Sequence, residues 1–259
     1  IMFSNLRSLI FKLDPETAHN LAIKSLKFNF VPNILDDDKN NPLFKTELFG
    51  KNLENPIGMA AGFDKNAEVY NSLFKLGFGF VEVGTVTPKQ QFGNEKPRIF
   101  RLEKDKALIN RLGFNNHGLE IVGQRLSRNK PNGTLGINIG PNRETKDKTD
   151  DFYKCLSELY LYADYITVNI SSPNTEGLRD FHRENSLTNL LEKLNKLKEA
   201  KNIKTPLALK ISPDINDNEV SNIIEILIKY KINGVVLSNT TDKNREKLLD
   251  FKKKEAGGL

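Results

Sequence analysis

Polar side chains crowd the end of one short apolar run near the middle of the chain. Residues 165–170 alternate β-branched side chains, which is typical of a strand, and Pro173 ends the run. The polar residues at this end are Asn169, Ser171, Ser172, Asn174 and Thr175. Amide side chains both donate and accept hydrogen bonds, so Asn169 and Asn174 can read a small heterocycle with alternating N–H and C=O groups. Ser172 lies between them and is a candidate reactive hydroxyl. A plain Asn/Ser/Pro turn has the same composition, so this stretch alone does not decide between the two.

Other predicted strands end in the same way. Short buried runs alternate with helical patterns, which predicts a parallel sheet with crossover helices. The predicted strands are Ile57–Ala61, Phe80–Val86, Leu135–Ile139, Tyr165–Ile170, Pro206–Ile211 and Gly234–Ser238, and the predicted helices are Glu68–Leu76, Asn116–Leu126, Asp151–Tyr162, Leu187–Lys198 and Asn218–Tyr230.

The strand exits carry Gly62-Phe63-Asp64-Lys65, Gly84-Thr85, Asn138, Asn169 with Ser172, Lys210, and Asn239-Thr240. Polar groups at every exit converge only if the strands close into a ring, whereas a doubly wound sheet concentrates them at one switch point. We therefore predict the α/β class and a (β/α)8 TIM barrel, of which six βα units are present.

Two short helices are predicted ahead of the barrel. Residues 3–13 place apolar side chains at helical spacing, and Asp14-Pro15-Glu16 then starts a second helix that ends near Phe28. Residues 32–41 form a polar linker. We expect an N-terminal helical extension over residues 1–41 and a barrel over residues 42–259. The extension suits either an ordinary hairpin packed on the barrel or an element that dips into a membrane surface.

Composition and missing motifs exclude several classes of function. The net charge is +6, but lysine is spread along the whole chain, which argues against a nucleic-acid-binding patch. No apolar run is long enough to span a membrane, and no cleavable signal is evident. The single cysteine, Cys155, excludes an internal disulfide and suits a reducing compartment. There is no dinucleotide fingerprint, no Walker A sequence and no metal-binding motif, so we expect no metal.

Several spaced motifs together resemble the dihydroorotate dehydrogenase family. They are Ala61-Gly62-Phe63-Asp64-Lys65, Gly84-Thr85-Val86-Thr87-Pro88, Asn110-Arg111-Leu112-Gly113-Phe114-Asn115-Asn116, Gly136-Ile137-Asn138-Ile139-Gly140, Asn169-Ile170-Ser171-Ser172-Pro173-Asn174-Thr175 and Ser238-Asn239-Thr240-Thr241. They occur in the family's order along the chain. Ser172 resembles the catalytic base of the membrane-associated, quinone-dependent class, since the cytosolic class has cysteine there. The segment from Leu13 to His19 also resembles the helical extension of the quinone class.

The resemblance implies oxidation of (S)-dihydroorotate to orotate in pyrimidine (UMP) biosynthesis, through FMN, with a membrane quinone as the final electron acceptor. It implies that Ser172 is the base and that Thr175 and Phe114 belong to its proton relay. The implied substrate-binding residues are Lys65, Asn110, Arg111, Leu112, Gly113, Phe114, Asn169, Asn174, Asn239 and Thr240. The implied FMN-binding residues are Ala61, Gly62, Phe63, Asp64, Lys65, Thr85, Asn138, Asn169, Lys210 and Ser238. His19 and Arg101 correspond to residues that line the family's quinone tunnel.

The resemblance has one large departure, and alternatives stay open. The chain stops at Leu259 after six predicted strands, whereas the family continues with two further βα units that bind the FMN phosphate, so we expect a truncated version or a fragment with an open barrel. Another FMN-dependent barrel reductase, of the dihydropyrimidine or tRNA-dihydrouridine type, shares the architecture, and a non-catalytic fragment is the non-enzyme alternative. The expected location is peripheral, on the cytoplasmic side of a bacterial inner membrane. A mitochondrial inner membrane fits less well, because no transit peptide precedes the extension.

Overall fold

The computed structural model describes residue 7, residues 10–28 and residues 42–259 of the chain. Helix α1 spans Pro15–Lys27, and Asp14 caps it, because its carboxylate accepts the N–H of Thr17 at 2.9 Å. Pro15 occupies the first helical position, so the predicted start of this helix is confirmed. The helix expected over residues 3–13 lies mostly, and the linker over residues 32–41 wholly, outside the described residues.

Strands and helices alternate along residues 42–259. The strands are β1 (Thr46–Leu48), β2 (Lys51–Leu53), β3 (Gly58–Met59), β4 (Phe80–Val86), β5 (Ile99–Leu102), β6 (Ala107–Asn110), β7 (Thr134–Ile139), β8 (Tyr165–Asn169), β9 (Leu207–Lys210) and β10 (Gly234–Val236). The helices after α1 are α2 (Tyr70–Lys75), α3 (Leu119–Arg128), α4 (Lys148–Leu159), α5 (Glu184–Ala200) and α6 (Asp217–Lys229). Every predicted strand and helix of the barrel is present, with ends that differ by a few residues.

Neighbouring strands of the main sheet follow the order of the chain. The sheet has six parallel strands in the order β10-β9-β8-β7-β4-β3. A sheet whose order never reverses is wound in one direction, as a barrel is, whereas a doubly wound sheet reverses at its switch point. The order agrees with the predicted barrel class and brings the carboxyl ends of all six strands to one end of the sheet.

Two antiparallel hairpins flank this sheet, and the sequence pattern does not predict them. One joins β1 to β2, and the other joins β5 to β6, where Ile99 pairs with Asn110 and Leu102 with Ala107. Their strands are three or four residues long and include exposed side chains, so they lack the buried apolar runs that mark the other strands. The second hairpin matters for the site, because it delivers Asn110 to the carboxyl end of the barrel.

The core lies between the sheet and its crossover helices. Phe152, Leu156 and Leu159 line one face of α4, and all three are fully buried. They belong to one cluster with Ile137 and Ile166 of the adjacent strands β7 and β8. Helices that bury one apolar face against a parallel sheet leave the loops at the strand ends free to carry polar groups.

A buried ion pair joins α1 to the barrel. The guanidinium of Arg98, just before β5, donates from Nε to Glu16 Oε2 at 3.0 Å and from Nη2 to Glu16 Oε1 at 2.5 Å. Arg98 is 5% exposed and Glu16 is 9% exposed. A two-point pair of this kind fixes orientation as well as distance, so it holds the first turn of α1 beside the β5–β6 hairpin. Arg98 also donates to the carbonyl oxygens of Phe92 and Asn94, which fixes the preceding loop.

We predict that Glu16→Gln lowers the free energy of unfolding by about 3 kcal/mol at pH 7, because it leaves a buried guanidinium without its counter-charge. Lys96→Gln is the matched control. Lys96 lies 3.5 Å from the same carboxylate but is mostly exposed, so its loss should cost less than about 0.5 kcal/mol. Urea unfolding of both variants measures the difference, and equal effects would contradict the account.

The ion pair between Glu16 and Arg98 also predicts that the free energy of unfolding depends on pH. The Arg98 guanidinium holds the pKa of Glu16 below its ordinary value of 4.5. Because the folded-state pKa is the lower one, the stabilisation is complete above pH 4.5 and is lost as the pH falls through the folded-state value. The stability gap between the wild type and Glu16→Gln should therefore be full at pH 7 and should shrink below pH 4.5.

Candidate active site

A cavity of about 400 Å³ opens at the carboxyl ends of the strands. Its lining residues are Ala61, Gly62, Lys65, Gly84, Thr85, Asn110, Leu112, Gly113, Phe114, Asn115, Asn169, Ser172, Asn174, Lys210, Ser238, Asn239, Thr240 and Leu259. They come from the ends of β3, β4, β6, β8, β9 and β10 and the loops that follow them. Most of the predicted substrate and cofactor residues therefore meet around one space.

Ser172 lies in the loop after β8 and is 5% exposed. Its Oγ accepts the main-chain N–H of Asn174 at 3.2 Å. The side chain of Asn174 in turn donates to the carbonyl oxygen of Asn110 at 3.1 Å, which ties this loop to the end of β6. Thr175 is buried beside them, and its carbonyl accepts from Leu178. A hydroxyl that accepts an N–H is better able to carry negative charge, which is what a serine base requires.

Three asparagine side chains, Asn138, Asn169 and Asn239, form a continuous hydrogen-bonded chain across the barrel, here called the amide chain. Asn169 Nδ2 donates to Asn138 Oδ1 at 3.1 Å, and Asn239 Nδ2 lies 3.5 Å from Asn169 Oδ1. Ser171 completes the second link, because its Oγ donates to Asn169 Oδ1 at 2.8 Å and accepts from Asn239 Nδ2 at 2.9 Å. Thr85 joins the other end, donating to Asn138 Oδ1 at 2.6 Å. Asn169 and Asn239 line the cavity, whereas Asn138 is fully buried beneath it.

Two lysines give the cavity its positive charge. Lys210 ends β9 inside the barrel, and its ammonium makes no hydrogen bond or ion pair with any residue that the structure describes. A half-buried cation without a partner is costly, so this position favours a ligand that brings negative charge. Lys65 donates to the carbonyl oxygen of Gly62, and burial lowers the pKa of Lys65 to about 8. Lys65 is therefore mostly charged near pH 7.

Arg179 ties three strand-end loops together. Its Nε donates to the carbonyl of Ser171 at 3.3 Å, and its Nη2 donates to the carbonyl of Thr240 at 3.2 Å. Its guanidinium also pairs with Asp214 at 3.1 Å and with Asp242 at 3.2 Å. These contacts join the loop that carries Ser172 to the loops after β9 and β10, which fixes the serine relative to Asn239 and Thr240.

His182 reinforces the same junction. Its Nε2 accepts the main-chain N–H of Ser212 at 3.1 Å, so its Nδ1 carries the hydrogen and donates to the carbonyl of Arg179 at 2.9 Å. Burial lowers the pKa of His182, and the nearby Arg179 charge lowers it further. The imidazole is therefore held neutral, in one tautomer, between two main-chain groups.

A second, smaller cavity of about 80 Å³ lies between α1 and the barrel. It shares Lys65, Leu112 and Asn115 with the large cavity, so the two spaces adjoin. His19 of α1 lines it and packs edge-on against the ring of Phe63, with the ring centroids 5.2 Å apart. Burial, and repulsion from Lys65, lower the pKa of His19 to about 4, so this imidazole is neutral near pH 7.

Several predicted site residues lie away from the large cavity. Arg111 pairs with Glu255 at 2.9 Å and stacks on Phe100. Asp64 is buried under the loop after β3, where it accepts the main-chain N–H groups of Glu68 and Val69. Phe63 lines the smaller cavity only. Arg101 lines neither cavity and donates to the carbonyls of Phe11 and Leu13 just before α1.

Sequence reasoning missed three residues of the site. Glu82, in the middle of β4, lies directly beneath the amide chain, and a charged residue inside an otherwise apolar strand was a visible signal for it. Asn115 lines both cavities, and its Oδ1 is buried without a hydrogen-bond partner among the described residues. Arg179 gave no signal, because an arginine in a polar loop is ordinary until its partners from other loops are known.

Comparisons with known proteins point to one family. A family model described as dihydroorotate dehydrogenase matches residues 43–259. A protein of Rhodospirillum rubrum named dihydroorotate dehydrogenase (quinone) is 43% identical over 253 residues, covering 97% of this chain and 68% of the relative. A protein of Bartonella henselae with the same name is 49% identical over 241 residues, covering 91% of this chain and 65% of the relative. The chain thus spans about two thirds of the length of these relatives.

Solved structures give the same match. The ligand-free DHODH of Eimeria tenella superposes with a TM-score of 0.88 at 37% identity, covering 95% of this chain and 74% of that one. The complex of the Eimeria tenella protein with ferulenol gives a TM-score of 0.87 at 36% identity. The barrel class predicted from the polar groups at the strand ends agrees with both.

We predict that Arg179→Met loosens the loop that carries Ser172, because it removes the hydrogen bonds and ion pairs that join three loops. Amide hydrogen exchange in residues 171–178 should become at least about tenfold faster, while exchange in α4 stays unchanged. Arg183→Met is the matched control, since Arg183 is exposed and pairs only with Asp180 one turn away, among the described residues. Equal protection of residues 171–178 in both variants would contradict the role given to Arg179.

Proposed function

The chain belongs to the dihydroorotate dehydrogenase family, in its quinone-dependent class, and we propose on this premise that the protein oxidises (S)-dihydroorotate to orotate. The protein is an oxidoreductase of pyrimidine biosynthesis, and a quinone is its final electron acceptor. The observation that carries the proposal is the convergence of Ser172, the amide side chains of β6, β8 and β10, and two lysines on one cavity. No other described cavity combines a buried hydroxyl with convergent amides and cations.

The residues around the cavity fit a flavin. Gly62 has φ +106°, and a Cβ at this position would meet no atom within 4 Å, so glycine leaves open space at the wall of the cavity. The unpartnered ammonium of Lys210 offers the positive charge that a reduced, anionic flavin requires. Ala61, Thr85, Asn169 and Ser238 would hold the ring from the adjoining strand ends, and Asn138 would support Thr85 and Asn169 from beneath. When bound, FMN supplies the acceptor for the hydride, a task that no amino-acid side chain performs.

Ser172 is the proposed base. It removes the proton from the carbon beside a carbonyl of dihydroorotate, and it lies in the loop that Arg179 fixes. The N–H of Asn174 donates to its Oγ and stabilises the charge that develops there as its own proton leaves. Phe114 lines the cavity and excludes water from this position, and the buried Thr175 is the proposed next member of the proton relay.

The substrate would bind between the loops after β6, β8 and β10. Asn110, Asn174, Asn239 and Thr240 supply donors and acceptors for the amide groups of the pyrimidine ring. Lys65 is charged near pH 7 and would face the carboxylate of the substrate. Arg111 is directed toward Glu255, so in this proposal its main chain, with that of Leu112 and Gly113, borders the site.

Reoxidation by a quinone would take place through the smaller cavity. His19 lines it, and the cavity adjoins the large one along Lys65, Leu112 and Asn115. Exposed apolar side chains on and beside α1, Leu13, Leu21 and Phe28, suit a bilayer surface, and Lys24 suits anionic headgroups. None of the helices in the described part of the chain is long and apolar enough to cross a bilayer. The exposed apolar side chains on and beside α1 support peripheral attachment through this helix, which we propose to be on the cytoplasmic side of a bacterial inner membrane.

We predict that Ser172→Ala slows flavin reduction by dihydroorotate by about two to four orders of magnitude, the usual range for loss of a general base. FMN content and orotate affinity should stay the same, because the amides and lysines remain. Ser221→Ala on the exposed side of α6 is the control for the substitution itself. Anaerobic stopped-flow absorbance measures the step, and an unchanged rate in Ser172→Ala would remove the serine from the mechanism.

A second prediction separates the two half-reactions. His19→Ala and Arg101→Met should slow reoxidation by a long-chain quinone at least about tenfold, because they alter the wall of the smaller cavity and the turn before α1. Flavin reduction by dihydroorotate should stay within about twofold of the wild type. His117→Ala replaces a half-buried histidine outside both cavities and is the control. Quinone turnover at the wild-type rate in both variants would argue for a different electron route.

A further inference from the structure

Glu82 lies inside the barrel, below the large cavity, and does not line it. It is 6% exposed, and no cation pairs with it in the described part of the chain. Its carboxylate accepts from Asn138 Nδ2 at 2.8 Å and from Thr167 Oγ1 at 2.8 Å. Tyr165 faces the same carboxylate, and burial together with this charge raises the pKa of Tyr165. Burying a carboxyl group that has only hydrogen bonds as partners is costly. We therefore expect Glu82 to perform a function that an apolar residue at this position could not.

The contacts of Glu82 determine which way the Asn138 amide points. Both oxygens of the Glu82 carboxyl group accept hydrogen bonds, Oε1 from Asn138 Nδ2 and Oε2 from Thr167 Oγ1, so the Nδ2 of Asn138 faces Glu82. The Oδ1 of Asn138 must then face upward, where it accepts from Thr85 and from Asn169. The other two members of the amide chain are fixed in the same sense, because Asn169 Oδ1 accepts the main-chain N–H of Ser171 at 3.3 Å and Asn239 Oδ1 accepts that of Thr240 at 2.8 Å.

If the Asn138 side-chain amide were rotated by half a turn, its hydrogen bonds with Thr85 and Asn169 would both be lost. Its Nδ2 would meet the Nδ2 of Asn169, donor against donor, and Thr85 would have to accept a hydrogen instead of donating one. In the observed direction the hydrogen of Thr85 is used within the protein, because Thr85 Oγ1 donates to Asn138 Oδ1 at 2.6 Å. Thr85 can therefore offer only an acceptor to the cavity that it lines. The direction of one buried amide thus sets the hydrogen-bonding character of the cavity wall.

We propose that Glu82 is the positioning residue that fixes the direction of the Asn138 amide, and that it thereby makes Thr85 an acceptor toward the flavin. Asn169 holds this arrangement in place, because its Nδ2 donates to Asn138 Oδ1 at 3.1 Å and to Thr85 Oγ1 at 3.3 Å. The proposal rests on the proposed function for the identity of the ligand. It predicts that Glu82 acts on the flavin side of the cavity. The substrate side has anchors of its own on the main chain, since Asn174 donates to the carbonyl of Asn110 and Asn239 Oδ1 accepts the N–H of Thr240 at 2.8 Å.

Three variants test the role of Glu82. Glu82→Met removes the acceptor at nearly constant volume, and Glu82→Gln keeps one acceptor for Asn138 while its amide nitrogen can donate to the Thr167 hydroxyl. Thr167→Val is the matched control, because it removes the other hydrogen bond to Glu82 and leaves the contact with Asn138 in place. The readouts are the FMN dissociation constant of the apoprotein, from flavin fluorescence, and the orotate dissociation constant of the loaded protein, from the flavin absorbance.

We expect Glu82→Met to weaken FMN binding roughly 10- to 100-fold, the range for a buried donor left unpaired. Glu82→Gln and Thr167→Val should stay within about threefold of the wild type, and orotate affinity should change less than about threefold in all three variants. FMN binding within threefold of the wild type in Glu82→Met would overturn the proposal. So would an equal effect of Thr167→Val, or an equal loss of FMN and orotate affinity, because either indicates general loosening of the barrel.

Two further measurements test the role of Glu82 in other ways. If Glu82→Met does not fold, Glu82→Asp retracts the carboxylate by one methylene, and it should weaken FMN binding at least about fivefold without affecting orotate; no change would refute the role. Independently of any flavin, the side-chain amide hydrogens of Asn138 should exchange at least about tenfold faster in Glu82→Met than in Thr167→Val, and equal exchange would refute it. Failure of dihydroorotate to reduce the wild-type flavin would refute the proposed function alone.

Discussion

Buried amides inside a parallel barrel must satisfy one another, and this requirement governs the whole site. Asn138 and Asn169 are buried on the adjacent strands β7 and β8, and the half-buried Asn239 follows β10, so each finds its partners among neighbouring side chains. The chain of bonds begins at the Glu82 carboxylate and ends on main-chain N–H groups. One end can only accept hydrogens and the other can only donate them, so a single orientation of the amides satisfies every donor. This orientation determines which donors and acceptors face the cavity above.

The loops above this chain are fixed by cations. Arg179 links the loop of Ser172 to the loops after β9 and β10, and Arg98 links Glu16 of α1 to the β5–β6 hairpin that ends at Asn110. One arginine therefore holds the loop of Ser172, and the other holds α1 against the hairpin beside the smaller cavity. Both make several directed hydrogen bonds at once, which lysine cannot do in this geometry. The site is thus positioned by rigid strands below and by guanidinium contacts above.

The sequence predicted most of this fold, because the central strands β4, β7 and β8 are almost wholly buried and carry several β-branched side chains. Phe80–Val86 was predicted with the bounds that the structure gives it, and the alternation with helices led to the observed strand order. The short β5–β6 hairpin escaped prediction because its pairing partner, rather than a local pattern, makes it a strand. The residues around the cavity were found as strand exits, yet periodicity alone did not place Asn138 beneath the cavity or direct Arg111 toward Glu255. Those positions depend on the partners that each side chain meets in the folded protein, and a local sequence pattern does not contain this information.

The central claim is that the barrel mouth transfers a hydride from dihydroorotate to a bound flavin. The most direct measurement is an anaerobic titration of the wild-type holoprotein with dihydroorotate, followed by addition of a short-chain quinone. We predict bleaching of the flavin band with about one orotate formed for each flavin reduced, and recovery of the band when the quinone is added. A flavin that stays oxidised with dihydroorotate but is reduced by a nicotinamide cofactor would contradict the account and would favour a reductase of a different class.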